Sequence, residues 1–190
     1  FHLKLYAAML LGNYKFAKEA SKGLVATIPE KLLRWESPPM ADWLEGYVSM
    51  YIHPLIRFGR WNEILEEPFP EDKDLYCSTI ALLRYARTLA FAVLGKIKES
   101  ELEIEKFKIE ASKVPKTRTI FNNKVIDLLK IAKEMAEGEL AYRKNAYDEA
   151  FDKLRHAVKL SDQLPYDEPW GWMQPARHAL GALLLEQDYI

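Results

Sequence analysis

Apolar positions along this chain recur three and four residues apart, in blocks separated by short polar turns, and no block alternates every second residue. That period predicts α-helix nearly throughout and no strands. The blocks cover 2–11, 14–27, 40–58, 61–67, 73–94, 96–113, 120–143 and 146–163, and a last one runs from about Pro175 to Gln187. About nine helices result, an all-α chain. Taken in pairs they give hairpins over 2–27, 40–67, 73–113 and 120–163, followed by a terminal helix over 175–187. Pro68 and Pro70 stop the second return helix, and Pro175 suits the first turn of the last one. Pro54 lies inside the 40–58 block, where it lacks the N–H that would bond to Met50, so a bend is expected there. The inserts Pro29–Pro39, Pro68–Asp74, Val114–Thr119 and Leu164–Gln174 read as surface connections.

The turns repeat. Gly12-Asn13-Tyr14-Lys15-Phe16-Ala17, Gly59-Arg60-Trp61-Asn62-Glu63-Ile64, Gly95-Lys96-Ile97-Lys98-Glu99-Ser100 and Lys144-Asn145-Ala146-Tyr147-Asp148-Glu149-Ala150 each join two apolar-periodic segments. Each offers a Gly or Asn able to take the left-handed conformation that ends a helix, then a large residue followed three positions later by a mostly small one. Tyr14 with Ala17, Trp61 with Ile64, and Tyr147 with Ala150 are therefore expected to pack the repeats. The anchors Tyr14, Trp61, Ile97 and Tyr147 lie 47, 36 and 50 residues apart, so the repeat lengths are irregular.

The fourth hairpin resembles the tetratricopeptide family, whose period is about 34 residues. Gly138 is followed 12 residues later by Ala150 and 19 later by Ala157, matching the family's small positions where two helices pack closely. Leu180-Gly181 resembles the pair that opens a further repeat, and Pro165 the proline that closes one. Ala141 and Leu154 depart from the family's aromatics, and the first three units match at their turns alone. Over its whole length the chain is similar to a group of bacterial tetratricopeptide proteins without a settled activity. The resembling segments are His2-Leu3 with Ala7-Ala8-Met9, Arg57 to Trp61 with Glu63-Ile64-Leu65, and Leu164 to Pro169 leading to Leu180-Gly181. The resemblance implies a single right-handed superhelical solenoid of antiparallel hairpins, working through protein–protein contact.

Composition narrows the function. Basic residues number 27 and acidic residues 28, without a block of like charge, which disfavours nucleic acid and anionic membranes as partners. Cys77 is the single cysteine, so neither an internal disulfide nor a cysteine metal cluster can form, and the compartment stays open. The apolar run Ile80–Leu94 is broken by Arg84 and Arg87 and is too short to span a membrane. The chain opens on Phe1 without a basic n-region and cleavage site, which leaves room for an upstream segment.

Catalytic patterns are missing. His2, His53, His156 and His178 are scattered, and no phosphate loop, nucleophile elbow or Cys–His pairing occurs. The acidic group Glu134, Glu137, Glu139, Asp148 and Glu149 reads as a solvated face, with Lys130 placed to pair with Glu134. Arg84, Arg87, Lys130 and Lys133 do not follow the Lys-x-x-x-Asn register of the family's carboxylate-binding subclass. No enzyme, cofactor or metal is expected.

Two aromatic concentrations are candidate partner surfaces. Trp43, Tyr47 and Tyr51 stand four residues apart on one expected helix face, either as core or as a peptide platform. Tyr166, Trp170 and Trp172 lie between prolines in Leu164–Pro175, either gripping a partner or clasping the last two helices. The end helices suggest self-association. Leu3, Tyr6 and Leu10 on the first helix and Leu180, Leu183 and Leu184 on the last are apolar where a solenoid needs polar caps, so head-to-tail stacking into an oligomer, tube or filament is the leading reading. A peptide- or protein-binding adaptor is the alternative.

Overall fold

A computed structural model describes residues 1–189 and is helical almost throughout. The helices are α1 (His2–Leu10), α2 (Tyr14–Ala26), α3 (Glu30–Leu33), α4 (Met40–Val48), α5 (Ile52–Arg57), α6 (Trp61–Glu66), α7 (Cys77–Val93), α8 (Ile97–Lys113), α9 (Val125–Arg143), α10 (Tyr147–Asp162) and α11 (Ala176–Glu186). Successive partners α1/α2, α7/α8, α9/α10 and α10/α11 pack side by side, and α9 also lies on α7.

All four turns have the same backbone. Gly12, Gly59, Gly95 and Asn145 sit at φ of +71°, +63°, +75° and +61°. The N–H of the following residue then reaches back five positions, as Asn13 to Ala8, Arg60 to Leu55, Lys96 to Phe91 and Ala146 to Ala141, at 2.8 to 3.0 Å. This is the Schellman end of a helix, and it satisfies carbonyls that would otherwise be orphaned. At the first turn Asn13 also caps α2, its side chain accepting from the Phe16 N–H at 3.1 Å.

Four local expectations are corrected. The 40–58 block is not one helix: a 3-10 turn over Ser49–Tyr51 separates α4 from α5, just ahead of the Pro54 ring. The Pro29–Pro39 insert contains the short α3. Residues 119–124, expected at the edge of a helix, form a two-stranded antiparallel hairpin, β1 (Thr119–Ile120) and β2 (Asn123–Lys124), with Ile120 opposite Asn123. Two-residue strands are too short to leave an alternating pattern. Finally, α7 begins at Cys77 because the buried Glu45 carboxylate caps it there. That carboxylate accepts from the Thr79 N–H at 2.8 Å, its hydroxyl at 2.7 Å and the Ser78 N–H at 3.3 Å.

One apolar cluster runs from Leu5 on α1 to Ala176 on α11, and a smaller one gathers Phe151, Leu154 and Leu183 where α9, α10 and α11 meet. Ala17, Ile64, Ala150 and Ala157 are fully buried in these clusters, while Tyr14, Trp61 and Tyr147 lie half-buried at their edges. Gly138 permits the α9/α10 approach: a Cβ there would stand 2.9 Å from Leu154 Cγ and 3.2 Å from the Ala150 carbonyl oxygen. Gly181 has no such role among the described residues, since a Cβ there would meet nothing within 4 Å.

Candidate functional site

The first half of the connection Leu164–Pro175 runs over the surface, with Pro165, Tyr166, Glu168 and Trp170 exposed. From Gly171 it dives between the helices as a strap, with Trp172 and Met173 only 2% and 1% exposed. The indole ring lies 5.6 Å from Tyr85 on α7 and 5.4 Å from His53 on α5, and its Nε1–H donates to Met135 Sδ on α9 at 3.2 Å. Met173 and Gln174 follow it inside, with Gln174 Nε2 at 3.2 Å from His53 Nδ1. The strap's other end is tied by Asp167, which accepts from the side chains of Asn122 and Asn123 beside the β-hairpin. Burial of a large apolar ring with its single donor satisfied is strongly stabilising.

The aromatic candidates consequently part ways. Tyr47 is buried against His2 and Phe121, and Trp172 is core, so neither is open to a partner. Tyr51 is half-buried, whereas Trp43, Tyr166 and Trp170 are exposed. Trp43 and Tyr47 already differ in burial within α4, and the 3-10 turn over Ser49–Tyr51 then changes the helical rotation before Tyr51. Trp170 shares a 200 Å³ recess with Tyr6 of α1 and the Asp162–Arg177 ion pair.

The end-helix candidates also divide. Leu183 is buried in the smaller apolar cluster, with Leu180 and Leu184 half-buried beside it. Leu3 and Leu10 are exposed, together with Phe1, Leu11 and Phe16 on the same α1/α2 hairpin, and Leu185 and Tyr189 are exposed at the α11 end. Tyr6 is half-buried, facing the strap.

Beside the strap lies a cleft of about 310 Å³ that sequence reasoning missed. Helices α5, α6, α7, α9, α10 and α11 wall it, and its floor is apolar, with Ile56, Leu89, Val93, Met135, Leu154 and Leu183. Arg57, Arg143 and His178 bring nitrogen donors to it, and Trp61 closes one side. Glu139 also reaches the cleft and accepts from Arg143 Nε at 2.8 Å. Burial raises the Glu139 pKa above the usual carboxylate value, with Arg143 opposing the rise. An apolar concavity with a few converging polar groups is the usual form of a ligand site.

The remaining ionisable groups serve packing. His53 is held neutral by burial, its pKa lowered to about 3, and burial likewise lowers His2 to about 4. His2 carries both ring nitrogens without a hydrogen-bond partner. Glu63 ties α6 to α2 through Lys18 at 2.8 Å and to Arg60 at 2.5 Å, and these contacts lower its pKa to about 2. Glu134 pairs not with Lys130, which instead meets Asp127 at 2.8 Å, but with His156, Lys153 and Lys133. Among the described residues no group of three or more His, Cys, Asp or Glu could hold a metal, and no helix is long and apolar enough to cross a membrane.

Comparison with protein-family models, curated proteins and solved structures finds no match to this chain.

Proposed function

We propose that the chain is a tetratricopeptide-like solenoid, its hairpins wound into a right-handed superhelix, that acts through protein–protein contact and performs no catalysis. The four equivalent helix ends and the close α9/α10 crossing at Gly138 support the repeat reading. The observation that carries the function is where large apolar side chains are exposed. Phe1, Leu3, Leu10, Leu11 and Phe16 lie on the α1/α2 hairpin and Leu185 and Tyr189 at the far end of α11, while others, Leu102 and Ile109 on α8 among them, are exposed between the ends. On the first surface Lys4 and Lys18 pair with Glu19 and Glu63, and Lys15 and Lys22 add positive charge, whereas the second carries Glu186 and Asp188. Two apolar surfaces of opposite charge fit each other, so copies of the chain associate head to tail, in a ring or an open filament.

Light scattering across a concentration series tests this, with electron microscopy to see the form of the assembly. Mass should grow with concentration and fall back to the monomer on Leu185→Glu at unchanged helix content. A chain that stays monomeric at millimolar concentration refutes the reading. A second reading, an adaptor that binds a peptide, draws on the cleft rather than on the aromatic stripe, because Tyr47 is buried against His2 and Phe121.

A further inference from the structure

Arg57 is singular among the arginines. Arg34, Arg60, Arg84, Arg87, Arg118, Arg143, Arg155 and Arg177 each have a carboxylate oxygen within 4.0 Å, and Arg57 has none among the described residues. It ends α5 at the edge of the 310 Å³ cleft, whose floor is formed by Ile56, Leu89, Val93, Met135 and Leu154. His178 lines the same cleft from α11. The second guanidinium there, Arg143, commits its Nε to Glu139, so that pair is close to neutral and Arg57 leaves the cleft with a net positive charge.

We infer that this cleft binds a linear aliphatic carboxylate, its tail along the apolar floor and its head on Arg57. Each half of the ligand answers a feature of the site. The floor rewards removal of a methylene chain from water in proportion to the area covered. A guanidinium offers a carboxylate two parallel N–H donors, a charge-assisted pairing that an alcohol of equal length cannot reproduce. Phosphate esters and nucleotides fit poorly, since the cleft supplies one guanidinium without a carboxylate partner among the described residues, and the Glu139 carboxylate would repel a polyanion. This inference is independent of the head-to-tail association, which uses the outward faces of α1, α2 and α11.

The experiment is isothermal titration of the full chain with octanoate, decanoate and dodecanoate below their micelle concentrations. Decanol and a peptide ending in two leucines serve as the comparison ligands. Affinity should rise along the carboxylate series, and decanol should bind at least tenfold more weakly than decanoate. Arg57→Gln should weaken decanoate at least tenfold and leave decanol unchanged. Because Arg57 is exposed and unpaired, the thermal midpoint of that variant should match the parent. Ala182→Trp, which places a ring in the cleft from an exposed position, should abolish binding. Equal affinity for decanol and decanoate, an unaffected Arg57→Gln, binding of the peptide alone, or no heat with any carboxylate would each overturn the inference.

Discussion

Replacing Trp172 by alanine tests whether the strap belongs to the core. A buried aromatic side chain of this kind removes about 150–250 Å² from water, which at about 25 cal/mol per Å² is about 4–6 kcal/mol of transfer free energy. Alanine keeps the Cβ share of that area, and partial collapse recovers some more. The tilted contact to Tyr85 and the edge contact to His53 add to the loss, at about 0.5–1.5 kcal/mol per aromatic pair. Trp172→Ala should therefore cost about 3–5 kcal/mol, a large part of the stability of an ordinary domain. Urea unfolding followed by circular dichroism measures the cost, and hydrogen exchange at residues 164–175 measures whether the strap detaches first. Trp170→Ala is the internal control, since that ring is 46% exposed and its removal should cost less than about 1 kcal/mol. Equal costs for the two tryptophans, or a loss below about 1 kcal/mol at Trp172, would show that the strap merely rests on the helices.

Two further outcomes follow from burial and from space. His53 is neutral in the fold with its pKa lowered to about 3, against an ordinary value near 6.5, so its contribution is complete above pH 6.5 and is lost as pH falls. The loss approaches about 1.4 kcal/mol per pH unit between those values, or about 2 kcal/mol from pH 7 to pH 5. His53→Gln should flatten the urea midpoint against pH by that amount, and parallel curves would refute it. The helical glycines should respond oppositely. Gly138→Ala drives a methyl into Leu154 and lowers the melting temperature, while Gly181→Ala meets open space and should gain about 0.5–1 kcal/mol of helix stability. Equal signs at the two sites, read by calorimetry, would contradict the packing.

The positions of the turns were legible because left-handed φ at Gly12, Gly59, Gly95 and Asn145 is a local property, tied to residues that carry no steric penalty or a small one. Gly138 was legible through resemblance, since its spacing to Ala150 and Ala157 matches the tetratricopeptide pattern of small positions. The break at Ser49–Tyr51 was not, because Trp43, Tyr47 and Tyr51 keep a four-residue spacing whether or not the helix continues through them. Nor was the path of the strap. Its prolines and aromatics suit a surface clasp and an internal plug equally well, and only the positions of Tyr85, His53 and Met135 decide between them. Arg57 carries no local signal at all: what marks it is the lack of a neighbouring carboxylate, a property of the assembled helices.

A stack of hairpins in which each unit touches its neighbours alone can fray from either end, and its stability is close to a sum over units. The strap removes that freedom. Through Trp172 and Gln174 it joins α5, α7 and α9 to a segment more than a hundred residues beyond α5, and Trp170 brings the same segment to Tyr6 on α1. Unfolding around α5 should then withdraw support from the last helices, and the chain is expected to melt as one cooperative body. The same long-range closure raises contact order, so folding should be slower than for a plain helical array of this length, with the strap among the last segments to lock.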